Sequence, residues 1–168
     1  MKKTTLSLLA LTAILLFSCS KNETATIQQK APEKTMSTVK IVSDWLSMNF
    51  IQGEKYNPQG LEATVHFNPS SLYDEQTTTR MAFIRTADSY QALPGEAHID
   101  QEKIDLSYLL TYASFTVMAN GEGGVVPDAS KLNNQQFRYI VVSNSLLQGL
   151  NIDWSDYAAV AKALNIQN

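Results

Sequence analysis

The chain has 168 residues, 13 basic and 16 acidic, for a formal net charge of −3, and it contains one cysteine. There is no run of Lys and Arg to neutralise phosphates, which excludes nucleic acid as a partner and also electrostatic adhesion to anionic lipid. A lone thiol excludes an internal disulfide and a multi-thiolate metal site.

Lys2 and Lys3 open the chain, and an apolar stretch follows over residues 6–17. A dozen residues fall short of the roughly 20 that a membrane-spanning helix needs. Residues 1–18 therefore read as a secretory signal. The stretch closes on Leu16-Phe17-Ser18-Cys19. That ending resembles the lipobox of bacterial lipoproteins, whose cysteine sulfur is diacylated and whose cysteine becomes the mature N-terminus. Phe17 stands where a small or aliphatic residue is usual, a variant found in lipoproteins of the Bacteroidota type. Two other readings compete: a cleaved signal with an incidental cysteine, and an uncleaved core helix. Acylation at Cys19 has the advantage of explaining why a secreted chain keeps one thiol and no second to pair with it. Two or three acyl chains, at about 0.8 kcal/mol per buried methylene, give durable attachment where one gives only marginal binding.

Residues 19–38 lack aromatics and mix Lys, Glu, Gln and Thr with one Pro. Such a segment cannot bury enough apolar surface to offset its own ordering, so it reads as a disordered tether. Its reach is at most about 60 to 70 Å stretched, and about 25 Å as a flexible coil. Ser20 after the cysteine, rather than Asp, resembles outer-membrane sorting, while Lys21 and Glu23 leave the periplasmic or surface face open. With Lys2 and Lys3 removed along with the signal, 11 basic residues face 16 acidic ones, a net of −5. The expected location is the cell envelope, held by lipid, at the outer rather than the inner membrane.

Residues 39–168 suffice for one domain that buries roughly two-thirds of its chain's surface. The stretch IVSDWLSMNF, around Trp45, fits an edge strand or a short helix, and the strand is the preferred reading. Leu61, Ala63, Val65 and Phe67 alternate with Glu62, Thr64 and His66, a strand with one wet face that Asn68-Pro69-Ser70-Ser71 stops. In RMAFIRTA, residues 80–87, both faces look covered. Residues 104–110 and 114–119 give two further strands before a Gly121-Glu122-Gly123-Gly124 turn. QFRYIVVS, residues 136–143, is the most strand-like stretch, and Ile140-Val141-Val142 points to a central position.

The period changes only at the end. Trp154, Tyr157, Ala158, Ala161 and Leu164 fall at helical spacing with Val160 alongside, which predicts a helix from about 154 to 164. Asp153 is the expected N-cap, Asp156 suits the first turn, Lys162 the last, and Asn165 a left-handed cap. The fold expected is mainly β: an antiparallel β-sandwich, Ig-like or jelly-roll-like, of six or seven strands with the C-terminal α-helix packed on it. Leu93-Pro94, residues 104–108, residues 137–142 and residues 156–166 resemble, in that order, a group of uncharacterised Bacteroidota lipoproteins that join a lipobox to a single β-rich domain. The matching residues are structural, and the resemblance implies no catalytic set.

Candidate chemistry is sparse. In EAHIDQE an extended chain would project Glu96, His98, Asp100 and Glu102 on one side, a weak oxygen-rich cation site with one imidazole. A transition metal needs more convergent nitrogens, and calcium ligands come in loops of closely spaced Asn and Asp, so a polar loop or an exposed strand edge is the simpler reading. His66 reads as a solvated strand residue. No nucleophile elbow or phosphate loop is present, and Arg80, Arg85 and Arg138 read as ordinary sheet support. Tyr56, Tyr73, Tyr90 and Tyr112 fall in or near loops, where exposed rings stack on sugars or on a protein partner. The function expected is therefore a non-enzymatic binding or assembly domain with no cofactor, its partners being the membrane through lipid and an envelope protein or glycan. Glycan capture by the tyrosines, and a metal-dependent enzyme centred on residues 96–102, are the alternatives.

Overall fold

The computed structural model describes residues 39–67, 76–87 and 89–167. The expected signal and tether, and Cys19 with them, lie outside those residues. In chain order the strands are β1 (Lys40–Val42), β2 (Leu46–Ser47), β3 (Ile51–Gln52), β4 (Leu61–His66), β5 (Thr78–Arg85), β6 (Tyr90–Leu93), β7 (Gly95–Ile99), β8 (Glu102–Leu110), β9 (Ser114–Gly121) and β10 (Gln136–Ser143). Among the described residues three short α-helices, α1 (Ala129–Asn133), α2 (Asn144–Leu147) and α3 (Tyr157–Ala163), follow β9 or β10. Every pairing is antiparallel. One sheet runs β1-β10-β5-β6 with β2 also on β10, and the other runs β3-β4-β9-β8-β7. This is the β-sandwich with a C-terminal helix that the hydrophobic pattern predicts.

The sandwich interior is apolar because the strands alternate. Leu61 and Ala63 of β4, Ile104 and Leu106 of β8, and Phe115, Val117 and Ala119 of β9 point inward from the second sheet. They meet Ala82 and Ile84 of β5 and Phe137 and Val141 of β10 from the first. Each of the Leu, Ile, Val and Phe side chains among them, fully buried, contributes about 1.5 to 3 kcal/mol. The second sheet turns polar residues outward, among them Glu62, Thr64 and His66. There the Thr64 and Thr116 hydroxyls hydrogen-bond across the strands at 2.9 Å.

The first sheet is covered on both faces, which explains why its central strands read as almost unbroken apolar runs. Met81 and Phe83 of β5, with Ile140 and Val142 of β10, face away from the sandwich interior and pack on Tyr157, Val160, Ala161 and Leu164. The helix begins later than its apolar spacing predicts. Asp156, not Asp153, is the N-cap: its Oδ1 accepts from the backbone N–H of Ala158 (2.8 Å) and Ala159 (3.2 Å). Asp153 instead closes the preceding turn, accepting from the Ser155 N–H at 2.9 Å. Asn165 takes the left-handed conformation expected of it (φ 50°), and the Ile166 N–H reaches back to the Ala161 carbonyl at 2.8 Å. Lys40 of β1 ties the helix end to the sheet by donating to the Leu164 carbonyl at 3.0 Å.

Among the described residues ten strands stand where six or seven are expected, for two reasons. The stretch around Trp45 breaks into β1, β2 and β3. At the first break the Ser43 Oγ takes the place of a ladder acceptor, receiving the Tyr139 N–H at 3.0 Å. The interruption also resets which side chains face inward. Ile41 packs on the sandwich interior, yet Trp45, four residues on, packs on the α3 side and Leu46 turns inward. The second source is residues 90–99, which form β6 at the edge of one sheet and β7 at the edge of the other, with a cis Leu93–Pro94 bond between them. Among the described residues no helix is long and apolar enough to cross a membrane.

Candidate functional site

The four residues of EAHIDQE do not converge. Glu96 and His98 lie on β7, exposed, alternating with buried Ala97 and Ile99. Asp100 and Gln101 then form the hairpin turn with positive φ (48° and 68°), so the chain doubles back. Glu102 starts β8 opposite Ile99, on the other face of the sheet from Glu96 and His98. The extended arrangement that would align all four is thus cut by the hairpin. Glu96 pairs with Lys103 at 2.8 Å and Glu102 with Lys131 at 2.8 Å, and these contacts hold both lysines above their ordinary proton affinity. Among the described residues no group of three or more His, Cys, Asp or Glu side chains is arranged to hold a metal. His66 is exposed, as its strand position predicts.

The tyrosines are also dispersed. Tyr56 sits in the β3–β4 loop, beside Asn57, whose amide donates to the Ala119 carbonyl at 3.1 Å. Tyr112 is 61% exposed in the β8–β9 turn, beyond the Ser114–His66 pair at the other end of β4 and β9. Six strand residues, about 3.3 Å each, separate those two ends. Tyr90 belongs to the other sheet, and Tyr73 lies outside the described residues.

Tyr90 leads to a cluster that the sequence conceals. It stacks on Tyr157 at 4.7 Å and tilts against Trp45 at 5.5 Å, while Trp45 meets Tyr157 edge-on at 5.2 Å. Two arginines sit against the Trp45 ring: Arg138 at 4.7 Å and Arg85 at 5.1 Å from its centroid. Arg138 occupies the outward position of β10 opposite Phe83 and is only 5% exposed. Its Nη1 donates to the Tyr157 hydroxyl. Its Nε is enclosed without an acceptor, and so is the Trp45 Nε1. Arg138 and Arg85, expected to be ordinary sheet support, meet the Trp45 ring instead. The clue in the sequence is the arginine itself, set in the middle of Phe-Arg-Tyr-Ile-Val-Val.

Beside this cluster lies an open concavity of about 350 Å³, between β1 and the segment that leaves α3. Lys40, Val42, Ser43 and Asp44 form one side, and Asn165, Ile166 and Gln167 form the other. Arg138 is its buried member. Lys40 and Arg138 supply positive charge, Asp44 negative charge, and the remainder is neutral. Among these lining residues no nucleophile is hydrogen-bonded to a base; the Ser43 hydroxyl donates to the Asp44 carbonyl at 2.8 Å.

Arg80 is the counterpart on the inner face of the same sheet. Its Nη1 donates to the Leu110 carbonyl at 2.8 Å, and the Tyr108 hydroxyl donates to the Arg80 carbonyl at 3.0 Å, so the pair links the two sheets. Burial pushes the Tyr108 hydroxyl above the ordinary tyrosine value, with the charge of Arg80 opposing that rise. This is structural support, and it leaves the Arg138 concavity as the candidate site. No protein-family model, curated protein or solved structure matches the chain.

Proposed function

We propose that the chain is an envelope lipoprotein, attached by acyl chains on Cys19, whose β-sandwich works by binding a ligand or partner at the Arg138 concavity rather than by catalysis. The observation that carries this reading is the position of the single cysteine, at the junction between a twelve-residue apolar stretch and a polar segment without aromatics. A sulfur placed there serves acylation, while the 130 residues from Val39 onward fold with no sulfur bridge. The binding role draws support from the type of side chains at the concavity: a buried guanidinium, an ammonium, a carboxylate, a hydroxyl and two amides, which recognise and orient more readily than they transform. The outer membrane is the expected site of attachment.

The test is metabolic labelling with a palmitate analogue in the native cell. Wild type is expected to incorporate the label and to partition with membranes. Cys19→Ala is expected to lose both, while its β-domain gives the same melting curve. Equal labelling of the variant would refute the anchor.

A further inference from the structure

We propose that the concavity between β1 and the end of α3 binds a small organic monocarboxylate, held by the guanidinium of Arg138. The inference rests on the reading of the domain as a binding module and names the chemistry of what it binds. A guanidinium carries a positive charge and five donors, yet Arg138 is 5% exposed and no described carboxylate forms an ion pair with it. Nη1 goes to the Tyr157 hydroxyl, Nε has no acceptor, and Trp45 covers one face of the group without offering one. Burying a donor, and a charged one above all, without an acceptor is costly. The missing component is an oxygen acceptor with negative charge, and the concavity opens beside the guanidinium.

Charge and shape narrow the class. Lys40 and Arg138 against Asp44 leave one net positive charge at the rim and floor. A monoanion balances that, whereas a phosphoryl group carries about −1.5 to −2. A planar carboxylate also matches the edge of a guanidinium. Lys40 gives one hydrogen bond to the Leu164 carbonyl and keeps donors to spare. Val42 and Ile166 offer apolar flanks for a short aliphatic body, and the amides of Asn165 and Gln167 line the mouth.

The test is a titration of the purified full-length protein in detergent with sodium butyrate, against sodium chloride at equal ionic strength and sodium phosphate as a second arm. Trp154→Phe leaves Trp45, in contact with Arg138, as the only fluorescent tryptophan. The expected result is a saturable change in Trp45 emission with butyrate. Arg138→Lys, which keeps the charge but loses the fork, should weaken binding about tenfold or more. Lys40→Ala should weaken it severalfold, and Asp44→Asn should tighten it. No saturable change, phosphate binding as tightly as butyrate, or unaltered affinity in Lys40→Ala would each overturn the proposal. If Arg138→Lys fails to fold, Lys40→Ala and Asp44→Asn decide. Preference for phosphate removes the carboxylate while leaving a binding role; the Cys19 labelling result is independent of both.

Discussion

Arg138 shows how one side chain changes meaning with its neighbours. In the sequence it is a cation in a strand, and period two says only that it shares a face with Ile140 and Val142. That this face is covered, by Tyr157 and by a Trp45 displaced through the break at Ser43, depends on contacts about 20 and 90 positions away in the chain. Glu62 is a second case. Its carboxylate gathers the backbone N–H groups of Lys55 (3.4 Å), Tyr56 (2.9 Å) and Asn57 (3.1 Å) and so pins the β3–β4 loop. Burial alone would raise its proton affinity, but these donors outweigh it and hold the carboxyl below its ordinary value. A carboxyl depressed by folding contributes stability above its unfolded pKa and loses it as pH falls through the folded one. Thermal melts from pH 7 down to pH 3 should therefore show Tm falling below about pH 4. Glu62→Gln should lower Tm at pH 7 and flatten that acid limb; an unchanged limb would remove Glu62 from the account. Gly60 closes the same loop, and a Cβ there would collide with the Ala119 carbonyl and the Asn120 side chain. Gly60→Ala should cost about 2 kcal/mol in denaturant unfolding, and a wild-type midpoint would show that the loop yields.

At the scale of elements, α3 seals the outer face of the first sheet, so its cap and its apolar stripe have different weights. Asp156→Ala removes the acceptor for two backbone N–H groups and should cost about 1 kcal/mol. Tyr157→Asp or Leu164→Asp places a charge in that second core and should cost several kcal/mol. Urea unfolding measures both, and a wild-type midpoint for Leu164→Asp would mean that the helix does not pack as described. The elements with one wet face or one apolar stripe were legible from the sequence. Leu61 to His66 alternates cleanly, Gln136 to Ser143 is apolar on both sides because both sides are covered, and Tyr157, Val160, Ala161 and Leu164 keep helical spacing. The obscured elements lack such a pattern. Strands β6 and β7 are split by Pro94, and β7 exposes Glu96 and His98 at an edge. The hairpin after it uses Asp100 and Gln101 at positive φ, where glycine would have announced a turn. The site suffered most, since EAHIDQE looks concentrated in one dimension and disperses in three, whereas Trp45, Arg138 and Tyr157 do the reverse.

As a whole, the sequence pairs a β-domain that has no cysteine with an N-terminal segment whose one cysteine stands at its polar boundary. The domain's first described residue is already fixed: the Val39 N–H donates to the Ser143 Oγ at 2.7 Å, and the Ser143 N–H returns to the Val39 carbonyl at 2.8 Å. In the proposed arrangement lipid supplies the location and the sandwich supplies recognition, each alterable without the other. Solubilised by detergent, wild type and Cys19→Ala should therefore share one unfolding curve and one affinity for butyrate; a difference in either would couple anchor to domain. The most direct test of the account is mass spectrometry of the polypeptide purified from its native membrane. The prediction is an N-terminus at Cys19 carrying the mass of two or three acyl chains. An unmodified N-terminus, or one at another residue, would contradict it.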